Sequence, residues 1–147
     1  MKIELAHEHA KHMFVYFSQL MDKKVTDSRN EVIGELYDIV VRPSEVYPQS
    51  STLIIRKGLW RKQYAPVSWT EIVTISEEGI FLKIDKSKVI FKQKSNNKEE
   101  LTLRRDILDQ QVVDTSNHKV IRVNDIHLLE VDNALMIAHV DISLRGL

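Results

Sequence analysis

The stretch VTDSRNEVIGELYDIVV, Val25–Val41, returns later in the same chain as VVDTSNHKVIRVNDIHL, Val112–Leu128. The offset stays at 87 residues without a gap, as from Asp27 to Asp114. Between Leu20 and Val41 six pairs are identical: Asp22/Asp109, Val25/Val112, Asp27/Asp114, Asn30/Asn117, Asp38/Asp125 and Ile39/Ile126. Leu20/Ile107, Ser28/Thr115, Ile33/Val120, Leu36/Val123 and Val41/Leu128 match in character. Ordinary residue usage gives about one or two identities in such a window. The pattern is an internal duplication of a strand-turn-strand unit.

The residue types explain what is duplicated. Val25 and Val112 end one strand. Asp27 and Asp114 suit Asx turns, and Asn30 and Asn117 are expected at positive φ at the hairpin tips. Beyond the turn the alternation changes face. Gly34/Ile121 and Leu36/Val123 share one side of an ideal strand, while Ile39/Ile126 and Val41/Leu128 lie on the other. Strict period two would expose one of these sets, so a β-bulge is expected near Asp38 and Asp125, curling the sheet toward a barrel.

The rest of the 147 residues fits this reading. Short runs such as STLII, EIVTI, IFLKI and KVIFK, rich in β-branched and aromatic residues and separated by polar clusters, predict an all-β fold. Glu4–Met13 has helix-forming composition with few apolar anchors, and FKQKSNNKEELTL predicts a hairpin with its tip near SNNKE. Lys+Arg and Asp+Glu are both 21, so no net charge draws the chain to nucleic acid or an anionic membrane. There is no cysteine, which excludes disulfides and sulfur-ligated zinc. No apolar run approaches the ~20 residues that span a bilayer, and MKIELAHEHAKHM is too polar for a secretory signal. A cytoplasmic location is expected.

FSQLMDKKVTDSRNEVIGELYDIVV, followed after a loop by YAPVSWTEIVTISEEGIFLKI, resembles the PRC-barrel domain, a small six-stranded β-barrel. Leu20, Val25, Asp27, Asn30, Ile33, Gly34, Leu36 and Asp38 carry the first part of the match. Pro66, Trp69 and Ile72 carry the second. The later copy, from Arg104 to Leu147, is similar to the second barrel of tandem arrangements at the front of CBS-domain proteins that resemble the cytosolic part of MgtE magnesium transporters. It departs from the pattern at Ile121, which replaces the strand glycine, and it has no counterpart of APVSWTEIV. The resemblance implies an N-terminal tail over 1–13, a first barrel over 14–86, and a second over 87–147 that includes the preceding hairpin. KVIFKQ and EELTL are expected to help close that second barrel.

No catalytic residue, cofactor or metal is expected. His7, His9 and His12 crowd with Glu4 and Glu8, but the spacings i, i+2 and i+5 do not share a helix face. His118, His127 and His139 are scattered. Asp27, Asp38, Asp114 and Asp125 come in pairs because turns and bulges were duplicated, which accounts for them without acid-base chemistry. The segment RKGLWRKQYAPVSW stands out: Arg56, Lys57, Arg61 and Lys62 alternate with Trp60, Tyr64 and Trp69. Trp69 is expected in the core, and Trp60, Arg61 and Tyr64 at an interface.

The expected function is a non-catalytic module that binds a protein partner or a downstream domain of its own chain. The resemblance adds an accessory role in divalent-cation handling. The alternative is an adaptor in RNA processing or ribosome maturation, since a family of that kind also carries a PRC-like barrel; the neutral charge counts against direct nucleic-acid binding. Exposed strand edges add the expectation of a homodimer.

Overall fold

The computed structural model describes residues 14–93 and 99–146, whose strands form one curled, eleven-stranded sheet. The first repeat contributes β1 (Phe14–Tyr16), a helical turn α1 (Phe17–Leu20), β2 (Lys24–Thr26), β3 (Val32–Arg42) and β4 (Gln49–Lys57). It continues into β5 (Gln63–Ser68), a 3₁₀ turn at Trp69–Glu71, β6 (Ile72–Ser76) and β7 (Gly79–Leu82). The second repeat contributes β8 (Leu101–Thr102), a π-helical turn at Leu103–Ile107, β9 (Gln111–Asp114), β10 (Lys119–Val131) and β11 (Ala134–Gly146).

The bulges fall where the alternation changes face. The β3–β4 register shifts between Leu36 and Asp38, and the β10–β11 register between Val123 and Asp125. The extra residue lets Leu36 and Ile39 both point inward, and each is essentially inaccessible. Gly34 lies where β3 approaches β4: an added Cβ would sit 2.6 Å from the Arg56 carbonyl oxygen and from Ile55 Cγ2.

The two repeats interleave. The start of β3 pairs with β2, but its end pairs with β8 of the other repeat, Val40 opposite Thr102. The start of β10 pairs with β9, and its end pairs with β1, Val15 opposite Leu128. Each long strand thus carries the other repeat's leading strand. The turns behind those leading strands are held the same way. Asp38 Oδ1 accepts from the backbone N–H of Arg104 (2.7 Å) and Oδ2 from that of Arg105 (3.3 Å). Asp125 Oδ1 accepts from the backbone N–H of Ser18 (3.1 Å), and its Oδ2 accepts from the Ser18 hydroxyl. Each aspartate also receives the N–H of the residue after it, Ile39 or Ile126, at 2.8 Å.

The turns differ by one residue. α1 closes from Met21 N–H to the Phe17 carbonyl, whereas the later turn closes from Leu108 N–H to the Leu103 carbonyl. The wider turn brings Leu103 to the buried place that Phe17 holds in the first repeat, and both are fully inaccessible. A single apolar cluster runs through both halves, joining Leu20, Leu36, Leu53, Ile55 and Ile80 to Leu103, Ile126, Leu128 and Leu135.

Three expectations change. In the first hairpin Asn30 takes φ 64°, but in the second the positive φ falls on His118 (52°) and not on Asn117. The cause is loop length: Asp27 N–H bonds the Glu31 carbonyl across a loop of residues 28–30, whereas Asp114 pairs with Lys119 across residues 115–118. The flanks of the expected hairpin near SNNKE do not pair with each other. Lys92 bridges to Tyr64 and Leu101 pairs with Val41, while the tip lies outside the described residues. EELTL therefore adds to the first repeat's β3, and the strand that extends the second repeat's β10 is β1. The Glu4–Met13 segment also lies outside the described residues.

Removing either bridging carboxylate should destabilise the chain in chemical denaturation at neutral pH. Asp125→Ala loses a capping acceptor and should cost about 1–2 kcal/mol. Asp38→Ala strands buried N–H groups of Ile39, Arg104 and Arg105 and should cost about 2–3 kcal/mol. Losses below about 0.5 kcal/mol in both, the level of a neutral surface change, would mean the turns hold themselves. Gly34→Ala should cost about 1–3 kcal/mol by overpacking against β4; an unchanged midpoint would show that β3 and β4 can part to admit a methyl group.

Candidate interaction surfaces

The β4–β5 hairpin places two of the three candidate interface residues at its tip. The last pair of the ladder is Lys57 opposite Gln63, leaving residues 58–62 as the turn. Gly58 takes φ 100°, and a Cβ there would lie 2.3 Å from the Arg61 carbonyl oxygen, so the turn needs glycine. The result presents Leu59 (87% exposed) and Trp60 (96% exposed) outward, with Arg61 and Lys62 exposed beside them. Water around an indole and an isobutyl group side by side is costly, which makes this tip a natural contact.

Tyr64 lies away from the tip. Its backbone N–H and carbonyl both bond Lys92 (2.7 and 2.8 Å), and its half-buried ring packs on Tyr37 with centroids 5.0 Å apart. Lys57 sits over the Phe91 ring at 4.0 Å. Residues 91–92 thus brace the hairpin base, and the tip projects from a fixed support. Trp69 fills the core as expected, and its indole N–H donates to the Asn133 carbonyl at 2.9 Å.

The other two basic residues of the segment, Lys57 and Arg56, are already engaged. Arg56 Nε and an Nη donate to Glu35 Oε1 (3.0 and 2.6 Å), and that Nη also reaches Asp22 Oδ1 at 3.3 Å. Arg104, from the second repeat, donates to the same Asp22 oxygen at 3.3 Å. Both guanidiniums lie over the Tyr37 ring, at 4.9 and 4.5 Å from its centroid. Two cations, two carboxylates and an aromatic ring balance one another, so this cluster cements the junction of the repeats.

A groove of about 680 Å³ runs between β6 and the β10–β11 turn, lined by Arg42, Trp69, Thr70, Ile72, Lys83 and Asp132 among others. Its charges are mixed and come from separate parts of the chain, Arg42 from β3, Lys83 from beyond β7, Glu130 from β10 and Asp132 from the turn after it. Among the described residues no group of three or more His, Cys, Asp or Glu could hold a metal ion. His127 stacks on Tyr16 (4.7 Å, 15°) and lies 5.7 Å from His139, while His118 occupies a turn. His7, His9 and His12 lie outside the described residues.

The paired aspartates serve the backbone. Asp27 Oδ1 accepts from the N–H groups of Arg29 and Glu31 and Oδ2 from that of Lys86, each at 2.9 Å. Burial alone would raise this carboxyl, but the three donors outweigh it and the pKa falls. Asp114 accepts from Ser116 and Asn117, and the Asn117 side chain leads in holding its pKa down. Asp38 goes the other way: burial pushes its pKa up despite three N–H donors.

The repeats part company in what covers them. In the first, β5, β4, β3, β2, β7 and β6 curl round the core, with β2 and β7 pairing in parallel. The second has β9, β10 and β11 as counterparts of β2, β3 and β4, and among the described residues nothing stands where β5 to β7 stand in the first. Val25, Leu53 and Ile55 are fully buried; their counterparts Val112, Val140 and Ile142 are 60%, 40% and 49% exposed. Leu144, Ile121 and Val112 lie in one row across the three strands, on the face that Ile142 and Val140 continue.

Sequence reasoning anticipated an incomplete second copy but missed which side chains line its open face, the roles of Asp38 and Asp125 across the repeats, and the Tyr37–Arg104 contact. The alternation in VDISL carried a faint signal of the first, an apolar strand face set against a polar one. The chain has no helix among its described residues long and apolar enough to cross a membrane. Comparison with protein-family models, with curated proteins and with solved structures finds no match.

Proposed function

We propose that the chain is a non-catalytic interaction module, which meets a protein partner or a further domain of a longer chain through the hairpin tip Leu59–Trp60–Arg61. The observation that supports this reading is Trp60, 96% exposed on a turn whose base is braced by Tyr64 and Lys92. A braced turn loses little conformational freedom on binding, so the apolar area it buries counts almost in full. Tryptophan and arginine are also the side chains that most often dominate interfaces. The finer form of the proposal rests on the PRC-barrel resemblance: a cytoplasmic accessory part of a CBS-containing protein akin to the MgtE transporters. It would report or regulate divalent-cation handling through contacts made by the barrel and not through a metal site of its own.

A photo-crosslinking amino acid in place of Trp60 tests the reading in the native cell. One discrete protein adduct is expected, competed by excess wild-type chain but about tenfold less well by a Trp60→Ala, Arg61→Ala chain, the loss of a typical hot spot. Val46, 73% exposed on the β3–β4 loop, is the control position. A nuclease-sensitive adduct at position 60 would favour the RNA adaptor instead, and labelling no stronger than at position 46 would remove the tip as a contact.

A further inference from the structure

We propose that a second copy of this chain completes the open half, joining β11 to β11 antiparallel about a two-fold axis at Ser143. Three strands from each copy, β9 to β11, then form one shared six-stranded curled sheet. That is the strand number with which β2 to β7 surround the core of the first repeat. The surface is separate from the Trp60 tip, and the inference does not depend on that contact.

The edge is available. β10 occupies one side of β11 from Ala134 to Gly146, but on the other side β4 pairs only at Met136, opposite Gln49. Beyond Ile137, whose N–H bonds the Pro48 carbonyl at 3.0 Å, no described strand pairs with this edge, which lies over an apolar face, the condition that invites another strand. In the first repeat the same edge of β4 is paired with β5 from Thr52 to Lys57.

The side chains select the occupant and the register. With Ser143 opposite Ser143 of the second copy, Ile142 faces Leu144 of the second copy, and Asp141 faces Arg145 of the second copy. Two-fold symmetry makes each pairing twice. Within one copy Asp141 sits directly opposite Asp125, an unfavourable like-charge pair, and neither Asp141 nor Arg145 has an ion-pair partner among the described residues. A second copy supplies a cation to Asp141 and an anion to Arg145 in one step. A register two residues toward the N-terminus on each strand, about Asp141, would instead set Asp141 against Asp141. The two-fold axis stands perpendicular to the sheet, so the apolar faces of both copies fall on the same side, and the curl that the bulge before Asp125 imposes turns them toward one another.

Analytical ultracentrifugation of the 147-residue chain over a concentration series tests this, with circular dichroism and melting temperature confirming that each variant is folded. A dimer is expected. Asp141→Arg alone and Arg145→Asp alone each turn two attractive pairs repulsive and should weaken it about tenfold. The double variant D141R/R145D restores attraction and should recover most of the loss, and Ile142→Arg should abolish the dimer. Trp60→Ala should leave it unchanged, which separates this inference from the hairpin contact. A chain that stays monomeric throughout overturns the proposal, whatever other strand covers the face. So does a dimer that ignores Ile142→Arg, or one that the double charge exchange fails to rescue.

Discussion

The fold turns on two carboxylates that each act on the other repeat. Asp38 receives backbone N–H groups from Arg104 and Arg105, and Asp125 receives that of Ser18. Both sit one residue past a bulge, the position at which the strand reverses its faces. The bulge alone would leave an unpaired N–H and a kinked ladder. The aspartate satisfies the N–H of the following residue and, with its remaining lone pairs, fastens the partner repeat's turn. One side chain thus fixes the local curl and the global arrangement together.

The exchange of leading strands follows from this fastening. Once α1 is tied to Asp125 and the Leu103–Ile107 turn to Asp38, β1 and β8 can only run along the free ends of β10 and β3. Those ends are the parts of the long strands that β9 and β2 are too short to reach. The arrangement buries Phe17 and Leu103 in a core to which both repeats contribute. It also accommodates the one-residue difference between the turns, since the contact common to both is from backbone N–H groups to the carboxylate, with the Ser18 hydroxyl adding to it at Asp125.

Much of this scaffold is legible in the sequence, for local reasons. Asp27 and Asp114 bond N–H groups a few residues away, so their type and spacing announce a turn. The change of face between Leu36 and Ile39 announces a bulge. What escapes is non-local or depends on loop length. Nothing near Asp38 says that its partners lie 66 and 67 residues later. The identical Asn30 and Asn117 hide a loop longer by one residue, which moves the positive φ to His118. Tyr64 shares an aromatic-basic segment with Trp60, yet strand pairing with β4 sends the tip outward while Tyr37 and Lys92 hold Tyr64 back. Composition can nominate a loop; only register says which of its residues face solvent.

The loss of symmetry between the repeats has one physical root. Duplication copied β2–β4 and the bulge that curls them, and a curled three-stranded sheet with an apolar inner face is incomplete by construction. The first repeat solves this with the segment running through Pro66, Trp69 and Ile80, which adds strands at both ends of the curled sheet and covers its inner face, after the Trp60 hairpin has projected outward. The second keeps the same inner face, with Val112, Val140 and Ile142 in place of Val25, Leu53 and Ile55, but has no such segment among its described residues. Had that surface been free to drift as an ordinary exterior, polar residues at these positions would lower the cost of exposure. Instead each position remains branched and apolar while the opposite face of β11 carries Asp141, Ser143 and Arg145, a strict alternation that matches burial on one side. Among the described residues the second repeat therefore presents an apolar inner face whose alternation matches burial, with Val112, Val140 and Ile142 left uncovered.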